Sequence, residues 1–115
     1  MALNGLLPCY IDGVFVDTKQ YVNNINPVNG EIISQLCEVT PTLIDQAAAS
    51  AKAALKGPWG KMSVNQRCDL LHKVADCMIE RQKEFIEAEI ADTGKSLFQV
   101  ETIDIPRGAA NFKTF

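Results

Sequence analysis

The chain has 115 residues, 47% of them hydrophobic and 22% charged, a composition that suits one folded domain and excludes a disordered or fibrous segment. A net charge of −3 and an aromatic content of 7% leave no basic, ring-bearing surface, so neither nucleic acid nor an anionic membrane is an expected partner. The opening stretch Met1–Pro8 has no basic segment ahead of an apolar run, and no segment approaches the roughly 20 apolar residues of a membrane span. The expected compartment is the cytoplasm, where Cys9, Cys37, Cys68 and Cys77, which form no Cys-x-x-Cys pair, stay reduced.

Residues 10–39 read as β structure. Tyr10-Ile11 and Val14-Phe15-Val16 flank Asp12-Gly13, a strong two-residue hairpin signal. Tyr21–Ile25 is a further strand that stops at Asn26-Pro27, and Val28-Asn29-Gly30-Glu31 is a turn with Asn-Gly supplying positive φ. Residues 32–39 are rich in apolar and β-branched types, with imperfect alternation. Three or four short antiparallel strands are expected.

Helical spacing takes over at Thr40, an N-cap followed by Pro41 in the first turn. Ile44, Ala47, Ala48, Ala51 and Leu55 mark the face of a slim helix that suits close packing, and Gly57-Pro58 is expected to end it with a left-handed cap. Ser63 and Gln66 form a capping box for a second helix, with Leu71, Val74, Ala75, Met78, Phe85, Ile86 and Ile90 on its apolar side, running to Thr93-Gly94. Past Lys95 a short helix, a kink at Pro106 and a further helix still running at Phe115 are expected. Residues 40–115 thus hold three or four helices. Trp59 reads as an anchor of a helix-to-helix connection.

Candidate chemistry is sparse. Gly94-Lys95-Ser96 resembles the end of a phosphate-binding P-loop, but Glu89 stands where that motif needs its first glycine, and a helix precedes it. A helix C-cap explains it better. No cysteine is flanked by an activating base, and all four read as buried or half-buried inert thiols. His72 has no partners for a triad or metal and reads as a polar helix flank. Arg107 follows Pro106 near a helix start, where a cation opposes the helix dipole, so helix stability does not account for it. On the residues alone, an ion pair with Asp104 is the favoured role.

Tyr10-Ile11-Asp12-Gly13, Ile25-Asn26-Pro27-Val28-Asn29-Gly30-Glu31, Gly57-Pro58-Trp59 and Ala91-Asp92-Thr93-Gly94-Lys95, taken in order, resemble the aldehyde dehydrogenase superfamily over nearly the whole chain. Ser96 departs from the proline that many members carry there. The segments Ala54–Met62 and Asp104–Phe112 are similar to dehydrogenases of 2-hydroxymuconate and 2-aminomuconate semialdehydes. The resemblance implies an α/β fold, with this chain as an incomplete N-terminal part of the NAD-binding domain: strands over 10–39, helices over 40–115, and no catalytic domain. It implies an NAD-dependent homo-oligomer that oxidises a small semialdehyde to its acid through a thiolate, hydride transfer and hydrolysis of the thioester.

The family's nucleophilic cysteine, general-base glutamate, oxyanion-hole asparagine and nucleotide-contacting glycines map onto none of these residues. The segment alone is therefore expected to be inactive, and a truncated product serving only as an interaction module is the alternative. Arg107 matches an arginine that grips the substrate's carboxylate. Asn24, Ile25 and Asp92 match positions that hold a structural monovalent cation in some members, two of them through backbone carbonyls.

Overall fold

The computed structural model describes residues 5–114, so the readings placed on Met1–Asn4 and on Phe115 lie outside the described residues. Its first layer is built from short strands: β1 (Leu6–Leu7), β2 (Cys9–Ile11), β3 (Val14–Val16), β4 (Tyr21–Ile25) and β5 (Ile32–Cys37). The β2–β3 hairpin turns at Asp12 and Gly13, with φ of 53° and 80°, both positive as a tight two-residue turn requires. Strands β4 and β5 pair antiparallel around the second turn, where Gly30 alone has positive φ (76°) and Asn26 bonds Glu31 and Gly30 across the loop. The expectation of purely antiparallel strands needs one correction. Strand β1 adds to the far side of β5 in parallel, giving the sheet order β1-β5-β4. Two residues are too few to show a period, and their partner lies far along the chain.

Helix α1 (Pro41–Ala54) begins as its sequence dictates, with the Thr40 hydroxyl accepting from the Leu43 N–H. Its end differs from expectation. Gly57 has φ of −83° and is the N-cap of a short helix α2 (Pro58–Lys61), while α1 closes through tight bonds such as Gly57 N–H to Ala54 O at 3.1 Å. The glycine this corner requires is Gly60, where a Cβ would overlap the Leu55 carbonyl oxygen. Trp59 is 37% exposed and anchors no core, since α2 buries no residue.

The Ser63–Gln66 capping box forms in both directions. The long second helix is two: α3 (Val64–Glu80) and α4 (Gln82–Thr93), divided at Arg81, whose ψ of 18° leaves the helical range. No glycine or proline marks that break, so periodicity carried straight through it. Gly94 ends α4 in the left-handed conformation, φ 68°.

Beyond it come α5 (Leu97–Gln99), a wide π turn (Val100–Asp104) and α6 (Ile105–Thr114). Ser96 caps this run by accepting from the Gln99 N–H. The expected kink at Pro106 is replaced by the π turn. Ile105 stays helical at φ −70° and ψ −47°, and its N–H reaches back five residues to Val100 O. Widening the turn moves the carbonyl that a proline ring would otherwise strike, so the helix continues through Pro106.

The core lies in the helical layer, where Ile86, Val100 and Ile105 pack together with Ile90 beside them. Helix α6 lies along α3, with Gly108 close to Met78 and Lys113 paired to Asp76 at 2.7 Å. The Cα radius of gyration is 16.8 Å, against about 13 Å for a compact domain of this length. The thinnest extent is only 17 Å, so many large apolar side chains stay on the surface, Phe15 at 74% and Ile44 at 57% among them.

Candidate functional site

Arg107 sits in the first turn of α6, exposed, and makes no hydrogen bond or ion pair among the described residues. The Asp104 bridge that its sequence position favours does not form. Asp104 instead accepts from Lys95 Nζ at 2.9 Å, and the same ammonium reaches Glu89 at 3.0 Å. These two carboxylates hold the Lys95 pKa above its ordinary value, Asp104 foremost. Local charge is thus settled between Lys95, Glu89 and Asp104, and the guanidinium of Arg107 stands apart with its donors open to solvent. A guanidinium presented this way suits a bidentate grip on a carboxylate.

A second polar cluster lies where the strand layer meets α4. Asn24 on β4 donates its amide to Asp92 at 2.7 Å, with Ile25 next along the strand at an irregularity in the β4–β5 register. Across the ladder from Asn24 stands Ser34, only 3% exposed, whose hydroxyl has no hydrogen-bond partner among the described residues. A buried hydroxyl left over in this way is uncommon, since buried polar atoms are ordinarily satisfied. Asn24 and Asp92 also line a cleft with Leu7, Leu36, Phe85 and Ile105. The cluster brings together one carboxylate, Asp92, and the unsatisfied Ser34 hydroxyl, hard oxygen groups whose single negative charge suits a monovalent cation, with the Asn24 amide nitrogen donating to Asp92. Among the described residues no group of three His, Cys, Asp or Glu side chains could hold a metal. Sequence reasoning reached Asn24, Ile25 and Asp92 by resemblance and missed Ser34, whose only signal was a hydroxyl interrupting an apolar run.

The Gly94-Lys95-Ser96 segment is a helix terminus. The Gly94 N–H is spent on Ile90 O at 2.9 Å, and a Cβ at Gly94 would crowd Val28 and Pro27. That geometry leaves no loop of N–H groups to wrap a phosphate, so these residues do not fit a nucleotide.

The cysteines divide differently from the expectation of four sheltered thiols. Cys37 is buried and Cys9 half-buried, but Cys68 and Cys77 are exposed. Cys77 opens onto an apolar groove with Leu70, Val74, Met78 and Phe85. The Thr18 hydroxyl and N–H, 2.9 and 3.0 Å from Cys37 Sγ, lower that thiol's pKa, while burial raises that of Cys9. Asp17, which accepts from Cys37 Sγ at 3.8 Å, opposes the thiolate, and the single histidine of the chain, His72, belongs to α3. His72 is exposed on α3, as its polar flank suggested.

The strand layer followed by capped helices makes an α/β segment, and comparison with known proteins gives its family. The sequence pattern of the aldehyde dehydrogenase family matches residues 15–115, and the chain belongs to that family. It is 49% identical over 108 residues to 2-hydroxymuconic semialdehyde dehydrogenase of Pseudomonas sp. (strain CF600), covering 92% of this chain and 22% of that protein. It is 35% identical to the human 2-aminomuconic semialdehyde dehydrogenase, covering 96% of this chain and again 22% of the relative. Among solved structures, the NAD+ complex of an aldehyde dehydrogenase from Bacillus cereus superposes with a TM-score of 0.92 at 29% identity, over 97% of this chain and 23% of that one. The chain therefore spans about a fifth of the length of the proteins it matches.

Proposed function

We propose that the polypeptide to which this segment belongs oxidises a muconate-type semialdehyde to the carboxylic acid with NAD, as a cytoplasmic homo-oligomer, and that Arg107 recognises the substrate's carboxylate. The observation that carries the proposal is the exposed arginine without a hydrogen-bond or ion-pair partner among the described residues, in a chain similar to two semialdehyde dehydrogenases. NAD, when bound, supplies the oxidant, and none of the described residues is given a contact to it. Arg107 supplies what these residues can supply: a permanent positive charge and a planar pair of donors that orient an acidic substrate. The same proposal includes a structural monovalent cation at Asn24, Ile25 and Asp92, supported by the Asn24–Asp92 contact and by the unsatisfied hydroxyl of Ser34 beside it.

The test is the Arg107→Ala variant of the full-length enzyme, assayed on 2-hydroxymuconate semialdehyde and on hexanal, a six-carbon aldehyde without the acid. Loss of a charge-assisted bond is worth about 1.5–3 kcal/mol, which is roughly a ten- to hundredfold fall in kcat/KM on the acidic substrate, with hexanal nearly unchanged. Arg107→Lys recovers part of the loss, because an ammonium keeps the charge without the fork. An equal loss on both aldehydes, or a large fall in melting temperature, would sink the assignment.

A further inference from the structure

Lys95 reaches forward over the Gly94 turn to hold Asp104, the acid that sequence spacing would hand to Arg107. Asp104 is the only acidic residue within four positions of Arg107, and residues three apart on a helix are neighbours able to pair. A carboxylate free at that position would compete for the guanidinium against the carboxylate of a substrate. Lys95 forecloses this with one bond of 2.9 Å, while Glu89, 3.0 Å from the same nitrogen, fixes the ammonium from the α4 side. The Asp104 side chain is 24% exposed and that of Lys95 37%, so the pair is partly sheltered and less open to exchange with solvent than a fully exposed one. The π turn that ends at Asp104 places this acid directly before α6, and such turns recur at functional sites.

We infer that Lys95 is a positioning residue for substrate specificity: by engaging Asp104 it keeps Arg107 unneutralised and available to an anionic substrate. This deepens the proposed function and rests on Arg107 binding the substrate's carboxylate. Lys95 touches no substrate in this scheme; it acts through Asp104 alone.

Four variants of the full-length enzyme separate this inference from the reading beneath it. Lys95→Met releases Asp104 to Arg107, and an exposed ion pair of that kind raises KM for 2-hydroxymuconate semialdehyde about two- to fivefold. The kcat and the KM for hexanal stay unchanged. Adding Asp104→Asn to Lys95→Met removes the competitor and returns KM to the wild-type value, a rescue that a merely structural lysine would not show. Lys95→Gln, which keeps a donor but no charge, replaces the methionine variant if that protein melts early. Arg107→Ala is the control. If it costs the acidic substrate selectively while Lys95→Met leaves KM alone, the inference about Lys95 is wrong and the Arg107 reading stands. A KM rise in Lys95→Met that is equal on hexanal, or that Asp104→Asn does not reverse, overturns the inference too. An Arg107→Ala enzyme without selectivity ends both.

Discussion

Helices α1 and α6 both carry apolar residues at helical spacing, yet α6 buries Ile105 and Ala109 while α1 buries nothing. The difference lies in their neighbours. Helix α3 lies along α6 over much of its length, and small residues let the two approach, as Gly108 does against Met78. Among the described residues helix α1 meets chiefly α2 and β2, and Ser50 donates to Asp12 at 2.9 Å. Ile44 and Leu55 on α1 are 57% and 66% exposed. A periodic apolar stripe thus specifies a face, and the stripe says nothing of what covers it.

The largest expected effect tests that contrast directly. Ile105→Ala in the 115-residue chain removes a side chain from the Ile86–Val100–Ile105 cluster and costs about 2–5 kcal/mol, enough to abolish the protection of α3 and α6 against hydrogen exchange. Ile44→Ala, on the uncovered stripe, shifts exchange in that chain by no more than about 0.5 kcal/mol. In a longer polypeptide whose further residues cover α1, Ile44→Ala becomes costly. Equal costs for the two substitutions in the short chain would show that α1 is packed there after all.

The seam between the strand layer and the helices gives the next effect. Gly94 holds φ of 68°, and a Cβ there would come within 2.8 Å of Val28 and 3.1 Å of Pro27 in the strand-layer turn. Gly30 has a similar φ of 76° with open space around it. Gly94→Ala is expected to cost about 1–3 kcal/mol, and Gly30→Ala only the backbone part of that, near 1 kcal/mol. Thermal melts of the two variants side by side measure the excess. An excess near zero would mean that the turn yields freely and the two layers are only loosely joined.

What the sequence made legible was local chemistry. The Asp12-Gly13 hairpin, the Thr40 cap, the Ser63–Gln66 box and the Gly94 terminus each depend on residues within a few positions, and each formed. Contacts between distant residues left no such mark. The pairing of β1 with β5, the demand for glycine at Gly60 and the transfer of Asp104 from Arg107 to Lys95 depend on which backbone or side chain arrives from elsewhere. Asn24 and Asp92 are 68 positions apart, and only the family resemblance brought them together before the structure did. The π turn belongs with these: proline signalled a disturbance at 106, but not that a widened turn would absorb it.

The smallest expected effect is electrostatic and again contrasts the two layers. Asp17 in the strand layer and Glu84 in the helical layer both have their pKa lowered to about 2. For Asp17 the main cause is the hydrogen bond from Lys19, joined by the Lys19 N–H and the Tyr21 hydroxyl; for Glu84 it is the Arg81 guanidinium, which donates twice at the α3–α4 break. A carboxylate with a lowered folded pKa binds fewer protons when folded than when unfolded. Its contribution is therefore fully present above the unfolded values, 3.8 for Asp17 and 4.5 for Glu84, and is lost as pH falls toward about 2. Both side chains are partly open to solvent, at 28% and 42%, so the change in stability over that window is small and screened by salt. The two differ in how they resist salt. Asp17 accepts from Lys19 Nζ, the Tyr21 hydroxyl, the Cys37 thiol and a backbone N–H fixed by the turn, whereas Arg81 and Glu84 meet through side chains exposed at 57% and 42%. Carboxyl NMR titration in low and high salt should therefore show the Glu84 midpoint rising toward 4.5 in salt while that of Asp17 stays depressed. A midpoint for Asp17 near 3.8 at either salt concentration would mean that the hydrogen-bonded Asp17–Tyr21 loop is open in solution.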